Sequence, residues 1–407
     1  MPVSMIPVIC FLLWAQHKAS KTGELNLGSS PRQRRTEVFQ GSIFNRLKTL
    51  AIELDVLGLL MITTGWCVFL LPFSLASSAS GGYKNPSIIA MLVTGPIILM
   101  LFGIYEWKFS PKPLITHRIA INRCFQLAVT IDFFFYLTGY LRVLYYLSWV
   151  YGVTNWTYKR WSYFANLNTF LLTLFGVFIS LFIRWQRRYK NIQIFGLCLR
   201  TLAIGLHVYG TMTGGEPSLA LLVWHQLLNT FGSSCSTVGT QLATQASVPH
   251  QDLGQIIAQL SLWTQIGGGV GDAIAGAVWT SQVPKKMVQY GIPAAQAKTL
   301  VGSNKAVHAL PWGSPLRQAA IRAYNESYRP LVAAATALMV IPIICALFMP
   351  NYYLGDQHNV VEDVDVMGRK AQDTGPKKQS DIVEEEHENG FFAKSKRLIK
   401  NKTSSTN

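Results

Sequence analysis

Eight long apolar stretches occupy most of the sequence between residues 54 and 348. A helix needs roughly 20 apolar residues to cross the hydrocarbon core of a bilayer, which is about 30 Å thick. Inside lipid every backbone polar group must be hydrogen-bonded within the protein, so stretches of this kind form helices. The sequence therefore predicts an all-α polytopic membrane protein. The predicted spans are residues 54–76, 87–105, 125–151, 163–183, 192–209, 218–246, 252–280 and 331–348.

The composition agrees with a membrane protein, because half of the residues are apolar and only 14% are charged. An ordinary soluble domain has about 25% charged residues. The formal net charge of +16 would suit a nucleic-acid binder. The Lys and Arg residues lie mainly in loops and tails, however, and no RNA- or DNA-binding motif accompanies them. We interpret them as loop charge that sets orientation, and expect no nucleic-acid partner.

Catalytic and metal-binding patterns are missing from the sequence. The six cysteines occur singly, without a CxxC pair or metal-ligand spacing, so neither a disulfide framework nor a metal site is predicted. The eight histidines are scattered, and neither paired carboxylates nor a nucleophile–base arrangement is visible. We therefore expect a protein that is not an enzyme and has no cofactor.

The distribution of basic residues predicts the orientation in the membrane. The segment before residue 54, the loop at 107–124 and the loop around Arg187 hold about fourteen basic residues, and the alternate loops hold three. Cytoplasmic loops carry the excess of Lys and Arg, so the first set and the tail after Pro350 are predicted to be cytoplasmic. The sequons at Asn155 and Asn325 fall in loops predicted to be outside, which agrees with this orientation. A further sequon, at Asn401, falls in the tail predicted to be inside.

The segments between and beyond the spans differ in character. Residues 6–15 are apolar but too short to cross a bilayer alone. Residues 18–53 and 107–124 are predicted cytoplasmic loops. One long outer loop is predicted at residues 281–328, and loops of that length in a compact protein are usually functional or disordered. Residues 351–407 mix acidic and basic blocks and are predicted to be a disordered cytoplasmic tail.

Two ionisable residues, Asp132 and Arg142, lie inside the third span. Such groups are costly at membrane depth and mark cavities or pathways by default. Ten residues of helix separate them by roughly 15 Å, so they cannot pair directly. Asp132, Tyr136 and Tyr140 share one stripe, and Arg142 is turned off it. Either both charges are buried and paired to neighbouring helices, or they line a cavity with Asp132 protonatable and Arg142 facing the substrate.

Further candidates lie on the next helical hairpin. His207 and His225 fall in the outer halves of consecutive antiparallel helices and are placed to approach each other, as core residues or as a proton relay. Arg200 is interpreted as a snorkelling side chain. The candidate substrate-binding residues are Asp132, Tyr136, Tyr140, Arg142, Trp224, His225 and Asn229. Asp132 and His207 are the candidates for proton coupling.

Two of the predicted spans are rich in small residues. The segment at 266–277 reads IGGGVGDAIAGA. Glycines four residues apart, such as Gly267 and Gly271, let helix backbones approach closely. No Lys-Ser/Thr pair follows the glycines, which excludes a phosphate loop. Close helix packing is the prediction, with Asp272 facing the interior.

Several stretches between Cys10 and Gly355 resemble the fungal siderophore–iron transporters of the major facilitator superfamily. They include WAQHKASKTGELN, ELDVLGLLMITTGWCVFLLPFSLA, YLRVLYYLSWVYGVTNW, QLATQASVPHQDLGQ and IGGGVGDAIAGAVWTSQVPKKM. The resemblance implies a family with fourteen helices, arranged as six, a two-helix insert and six more. It also implies import of ferric siderophore chelates by proton symport, with protons, the chelate and the lipid bilayer as partners.

The same resemblance implies a division of this chain. Residues 1–17 match the remnant of a transmembrane helix, residues 54–106 the two-helix insert, and residues 125–350 the C-terminal six-helix bundle. The N-terminal bundle is missing, so we expect an N-terminally truncated copy, either with a misplaced start or degenerate and inactive. The plasma membrane is the expected location, with endosomal vesicles as the alternative. A fourteen-helix drug/proton antiporter and a non-transporting membrane remnant or scaffold are the competing functions.

Overall fold

The computed structural model describes residues 10, 11, 14, 18, 48, 51–52, 54–76, 79, 81–110, 113–212, 216–249 and 252–354. The helices named below, from Val56 to Phe348, lie within one compact unit, Arg34–Tyr352. The second unit, Met1–Gln33 with Tyr353–Asn407, contains few described residues. The predicted helix remnant, the first basic loop and the tail therefore fall largely outside the described residues.

The described part of the chain is helical throughout its regular structure. One short 3₁₀ turn, Gly82–Lys84, accompanies the α-helices. The α-helices are α1 (Val56–Leu75), α2 (Pro86–Lys108), α3 (His117–Ile121), α4 (Arg123–Val153), α5 (Tyr158–Gln186), α6 (Lys190–Met212), α7 (Leu219–Ala246), α8 (Leu253–Gln289), α9 (Ala294–Gly302), α10 (Asn304–His308), α11 (Pro315–Leu338) and α12 (Val340–Phe348).

Six segments among the described residues are both long and apolar enough to cross a membrane. They are α1, α2, α4, α5, α6 and the continuous pair α11–α12. The sequence predicted eight spans, and the two others correspond to α7 and α8. These helices have 28 and 37 residues, which is long enough to cross a membrane. Their many hydroxyl, amide and glycine residues make them less apolar than the six. Because α7 packs extensively on α6 and α8 on α4, each needs a less apolar surface than a helix surrounded by lipid.

Close backbone contact joins α8 to α4, as the glycine spacing predicted. A Cβ atom added to Gly271 would lie 2.5 Å from the carbonyl oxygen of Leu137, and one added to Gly268 would lie 3.0 Å from the Tyr140 ring. The same packing joins α6 to α7, where a Cβ on Gly232 would lie 2.5 Å from the Gly196 carbonyl oxygen. Glycine is therefore required where these helices cross.

Helices α1 and α2 form a packed hairpin. Asp55 precedes α1 with a φ of 45° and accepts a hydrogen bond from the Gly58 amide at 3.2 Å. Its carboxylate also accepts the Tyr105 hydroxyl and the Ser110 hydroxyl, each at 3.0 Å. One carboxylate thus caps the first helix and holds the end of the second. The interpretation of this hairpin as a family insert stays a prediction.

The connection between α8 and α11, which we call the outer segment after the predicted outer loop, is shorter than that loop at 281–328. Helix α8 continues to Gln289 and α11 begins at Pro315, so residues 290–314 connect them and contain α9 and α10. The Lys286 ammonium and the Glu326 carboxylate form an ion pair at 2.9 Å that joins the two long helices. Tyr290 also donates to Glu326, and this hydrogen bond raises the pKa of Tyr290. Apolar content alone underestimates the length of these two helices, because the charged residues at their ends pair with each other.

Arg317 holds the outer segment against the end of α4. Its Nη1 donates to the carbonyl oxygens of His308 and Leu310, at 3.1 and 2.8 Å, and its Nη2 donates to that of Thr154 at 3.1 Å. The side chain is buried. The His308 ring stacks on Tyr151 with centroids 4.5 Å apart. The segment 290–314 is therefore an ordered cap over this end of the bundle.

Replacing Arg317 with methionine should loosen the cap, because three carbonyl groups lose a charged donor. Hydrogen bonds to charged groups contribute about 1.5–3 kcal/mol each, so we expect residues 303–314 to exchange amide hydrogen at least tenfold faster. Hydrogen-exchange mass spectrometry of the full chain measures this. Arg322→Met is the matched control, since Arg322 is exposed on the same helix. Equal exchange in both variants would show that Arg317 does not hold the cap.

The sequon at Asn325 does not support the predicted orientation. Asn325 lies within α11, is only 2% exposed, and accepts a hydrogen bond from Trp149 Nε1 at 2.7 Å. Its side chain is therefore inaccessible to glycosylation. The sequence placed it in a loop because the first half of α11 is polar. Asn155 lies between helices and is exposed, as that prediction requires.

Candidate functional site

Six side chains from four helices form a buried group that we call the histidine cluster. Helix α4 contributes one face at i, i+4 and i+7, which brings its side chains onto a common side. Helices α6, α7 and α11 each contribute one ring. All six residues are buried. The histidine cluster consists of Arg142, Tyr146, Trp149, His207, His225 and Tyr328.

Arg142 and His225 are in direct contact. Arg142 Nη1 lies 3.2 Å from His225 Nε2, and His225 Nδ1 lies 2.8 Å from the carbonyl oxygen of Ala203. A carbonyl only accepts and a guanidinium only donates. His225 is therefore neutral in this arrangement, with its hydrogen on Nδ1 and a lone pair on Nε2.

His207 approaches His225, as the helix positions predicted, with ring centroids 4.5 Å apart. The His207 ring also lies 5.0 Å from the rings of Tyr146 and Trp149. Both nitrogens of His207 and the hydroxyl of Tyr146 are buried without a hydrogen-bond partner among the described residues. Such groups usually find a partner, so the cluster contains free hydrogen-bonding capacity at its centre.

Arg142 is a buried cation without a carboxylate partner in the described part of the chain. Its guanidinium lies 4.9 Å from the centre of the Tyr146 ring, and its Nε has no hydrogen-bond partner there. Its backbone carbonyl accepts the Tyr328 hydroxyl at 2.7 Å. A buried charge without a counter-ion is costly and marks a functional position by default.

A second buried group, the aspartate cluster, comprises Asp132, Phe135, Arg200 and Thr240. Asp132 is 4% exposed, and its Oδ1 has no hydrogen-bond partner among the described residues. Arg200 Nη2 donates to the Phe135 carbonyl oxygen at 3.0 Å, and the guanidinium lies over the Phe135 ring at 3.4 Å. Asp132 lies close to Arg200 and Thr240, without an ion pair at 4 Å or less to any described residue.

The interpretation of Arg200 as a snorkelling side chain is wrong. Arg200 is buried between α6 and α4. The reason is the local scarcity of side chains: a Cβ atom on Gly139 would lie 2.8 Å from Arg200 Nη2, and one on Gly232 would lie 2.9 Å from Arg200 Cβ. Gly139 of α4 leaves the space that the guanidinium occupies, and Gly232 of α7 lets the backbone at Arg200 approach that helix.

The remaining candidate residues are distributed over three environments. Tyr136 and Tyr140 stack on each other with centroids 6.4 Å apart and are partly buried. Asn229 is buried one turn beyond His225, with Oδ1 lacking a partner in the described chain. Trp224 is 59% exposed, on a face of α7 turned about 100° from that of His225. The structure therefore brings Arg142, His225 and His207 together, and it keeps Asp132 and Trp224 apart from them.

A groove of about 410 Å³ separates part of α1 from α8. Its walls are mostly apolar and include Trp66, Leu70 and Gln265. Asp272, which the sequence predicted to face the interior, lines this groove. Its Oδ1 is buried without a hydrogen-bond partner among the described residues.

Sequence reasoning overlooked three members of the histidine cluster: Tyr146, Trp149 and Tyr328. The spacing from Arg142 to Tyr146 and Trp149 was a usable signal, because it defines a second face of α4 that carries a charge. Tyr328 had no such signal, since it was assigned to a loop. In the residues that the structure describes, no group of three His, Cys, Asp or Glu side chains could hold a metal ion.

Long apolar helices with isolated buried charges define a polytopic membrane protein. No protein-family model matches the chain. The siderophore transporter fer7 of Mycosarcoma maydis is 37% identical over 98% of this chain and 61% of its own length. The low affinity heme transporter str3 of Schizosaccharomyces pombe is 36% identical over 89% of this chain and 58% of its own. The MFS siderochrome iron transporter C of Aspergillus fumigatus is 28% identical over 87% and 57%.

The chain is similar to the siderophore–iron transporters of fungi, within the major facilitator superfamily. Proteins of this family are carriers and not enzymes. The chain spans about 60% of the length of the curated relatives it matches. Among solved structures, a bacterial homolog of the human lysosomal transporter Spinster, in an inward-facing and occupied conformation, overlaps 65% of this chain and 57% of its own. Its TM-score is 0.44 and its sequence identity 15%.

Proposed function

We propose that this chain carries ferric siderophore chelates across a membrane in symport with protons. The observation that supports this most is the 37% identity to a siderophore transporter along 98% of the chain. Buried charges within apolar helices are the second support, because a protein pays their desolvation cost where a pathway needs them.

The chemistry of the buried residues suits an oxygen-rich chelate. Hydroxamate chelates present carbonyl oxygens around the iron, and Arg142 is a cation without a carboxylate partner in the described chain. His225 contacts Arg142, Asn229 lies one turn further along α7, and the stacked Tyr136 and Tyr140 offer aromatic surface. Trp224 stays in the proposed substrate-binding set as an exposed aromatic residue of α7.

Proton coupling in this proposal depends on Asp132 and His207. Both are buried and each has polar atoms without a partner among the described residues. A carboxylate or an imidazole in such a position can take and release a proton as the helices move. Asp132→Asn is the variant that tests this role.

The proposed architecture is the C-terminal six-helix bundle at residues 125–350, preceded by the two-helix insert at 54–106. Alternating access requires two bundles that rock around a site between them, so residues 125–350 supply one bundle of the proposed carrier. The basic loops and the C-terminal tail lie on the cytoplasmic side of the lipid bilayer in this proposal. The membrane is the plasma membrane, where an external iron chelate is first met.

A second candidate substrate is haem, because the relative from Schizosaccharomyces pombe is a low affinity heme transporter at 36% identity. Haem carries two propionate groups, and carboxylates pair with arginine through charge-assisted hydrogen bonds. Arg142 suits this ligand as well as it suits a hydroxamate chelate.

Uptake measurements separate the two substrates. The gene that encodes this chain would be expressed in a yeast strain that lacks its own siderophore and haem carriers. Cells would receive radioactive iron as a ferric hydroxamate or as haem. We expect accumulation from the hydroxamate that haem does not inhibit. Accumulation from haem alone would favour the second candidate, and no accumulation from either would reject both.

A further inference from the structure

We propose that His225 is the residue that takes up a proton to release Arg142 for the substrate. This inference rests on the proposed function and adds His225 to Asp132 and His207, the groups that take part in proton coupling there. In the arrangement described here, Arg142 Nη1 lies 3.2 Å from His225 Nε2. The neutral imidazole of His225 therefore accepts a hydrogen bond from the same guanidinium that the oxygen-rich chelate would bind.

The hydrogen bonds of His225 leave one place for a proton. Nδ1 already bears hydrogen, because it lies 2.8 Å from the Ala203 carbonyl oxygen, which only accepts. A proton from the aqueous side can add only to the lone pair of Nε2. That lone pair is the acceptor for Arg142. Proton binding and the Arg142 contact are thus mutually exclusive.

Electrostatic repulsion also separates Arg142 from a protonated His225. A protonated His225 would place an imidazolium and a guanidinium about 3 Å apart in a buried site, with donors facing each other. Like charges at such a distance strongly disfavour the doubly charged state. Separation of the two groups by rotation of the flexible Arg142 side chain relieves this repulsion.

The groups around His225 do not offset the repulsion. Tyr146 of α4 and His207 of α6 lie against its ring, with centroids 5.5 and 4.5 Å away, and Tyr328 of α11 lies against His207. Arg200 of α6 adds a second positive charge near Arg142. No carboxylate of the described chain contacts this group, and Asp132 lies roughly 15 Å along α4 from Arg142. Nothing there holds both cations together.

Helix α7 carries buried oxygen acceptors, besides His225, that no described residue uses. Asn229 Oδ1 and Gln226 Oε1 lie on the same helix as His225, are buried, and have no hydrogen-bond partner among the described residues. These oxygens stabilise the released Arg142 guanidinium beside a chelate that supplies further carbonyl oxygens. Proton binding and chelate binding then favour each other, and by linkage the effect is reciprocal. Symport requires this positive coupling between proton binding and chelate binding.

Two substitutions of His225 should each remove the pH dependence of chelate binding, one leaving a low affinity and the other a high affinity. His225→Gln keeps an oxygen that accepts from Arg142 but cannot take a proton, so the chelate should bind weakly at every pH. His225→Leu neither holds Arg142 nor takes a proton, so the chelate should bind tightly at every pH. The unmodified chain should bind at least tenfold more tightly at about pH 5.5 than at about pH 7.5.

Dissociation constants for a ferric hydroxamate would be measured on the full chain in lipid nanodiscs. His308→Gln is the control, because His308 belongs to the outer cap, and it should keep the pH dependence of the unmodified chain. The proposal is overturned if His225→Gln keeps that dependence, or if the glutamine and leucine variants bind with the same affinity.

A measurement without substrate separates this proposal from the proposed function. Nitrogen NMR of the full chain, with labelled histidine rings and arginine side chains, reports the protonation of His225 and the environment of Arg142. We expect the Arg142 signals to change as His225 takes up its second proton on acidification. Unchanged Arg142 signals, or no proton uptake by His225 above about pH 4, would refute the exchange. A chain that shows the exchange but binds no chelate would refute the proposed substrate only.

Discussion

Leucine in place of Gly271 should prevent the bundle from folding. The first side-chain atom would already lie 2.5 Å from the Leu137 carbonyl oxygen and 3.0 Å from the Leu141 amide nitrogen. These neighbours are backbone atoms of α4, so they cannot rotate away as a side chain can. Overpacking costs about 1–3 kcal/mol where side chains can adjust, and rigid backbone makes the cost larger. We expect no monodisperse protein after extraction into detergent.

The control for this substitution lies on the same helix. A Cβ atom on Gly254 would meet open space, so Gly254→Leu should leave the protein as monodisperse as the unmodified chain. Size-exclusion chromatography with a fluorescent tag compares the variants without purification. Normal behaviour of Gly271→Leu would mean that α8 and α4 do not cross as closely as described here.

Asparagine in place of Asp132 should abolish the pH dependence of uptake and lower its rate at least tenfold at acidic pH. The amide matches the carboxylate in shape but cannot carry a proton. Because Asp132 is buried with an unpartnered oxygen in the described chain, the change removes a charge without opening a cavity. Iron uptake from a ferric hydroxamate would be measured across a pH series, with the amount of protein at the cell surface determined in parallel.

Asp252→Asn is the matched control for Asp132→Asn. Asp252 lies at the start of α8, where it pairs with Arg118 at 3.5 Å near the surface. Surface ion pairs contribute about 0–1 kcal/mol, so this variant should transport normally. Undiminished uptake by Asp132→Asn at the same surface level would exclude Asp132 from proton coupling.

The helices were predictable from the sequence wherever lipid demands apolar side chains. Helices α1, α2, α4, α5 and α6 fall within a few residues of their predicted limits. Helix ends outside the hydrocarbon core were harder to predict, because their stability comes from contacts between helices. The pair Lys286–Glu326 illustrates this: it joins α8 to α11 in a region whose polarity suggested a loop.

The candidate site was predictable in part. The cost of charge at membrane depth drew attention to Asp132 and Arg142, and antiparallel geometry predicted that His207 meets His225. The contact between Arg142 and His225 could not be predicted, because it depends on how α4 is rotated relative to α7. Gly139 of α4 lies against Arg200 of α6, and Gly232 of α7 lies against Gly196 of α6. Both helices are therefore positioned by contacts with α6 that the sequence alone does not give.

Transport by the purified gene product in sealed lipid vesicles tests the proposed carrier most directly. A pH gradient, acidic outside, would be imposed while ferric hydroxamate is present in the external solution. We predict that iron accumulates inside the vesicles while the gradient lasts and that a protonophore stops this accumulation. Vesicles that take up no more iron with the gradient than without it would contradict a proton-driven siderophore carrier.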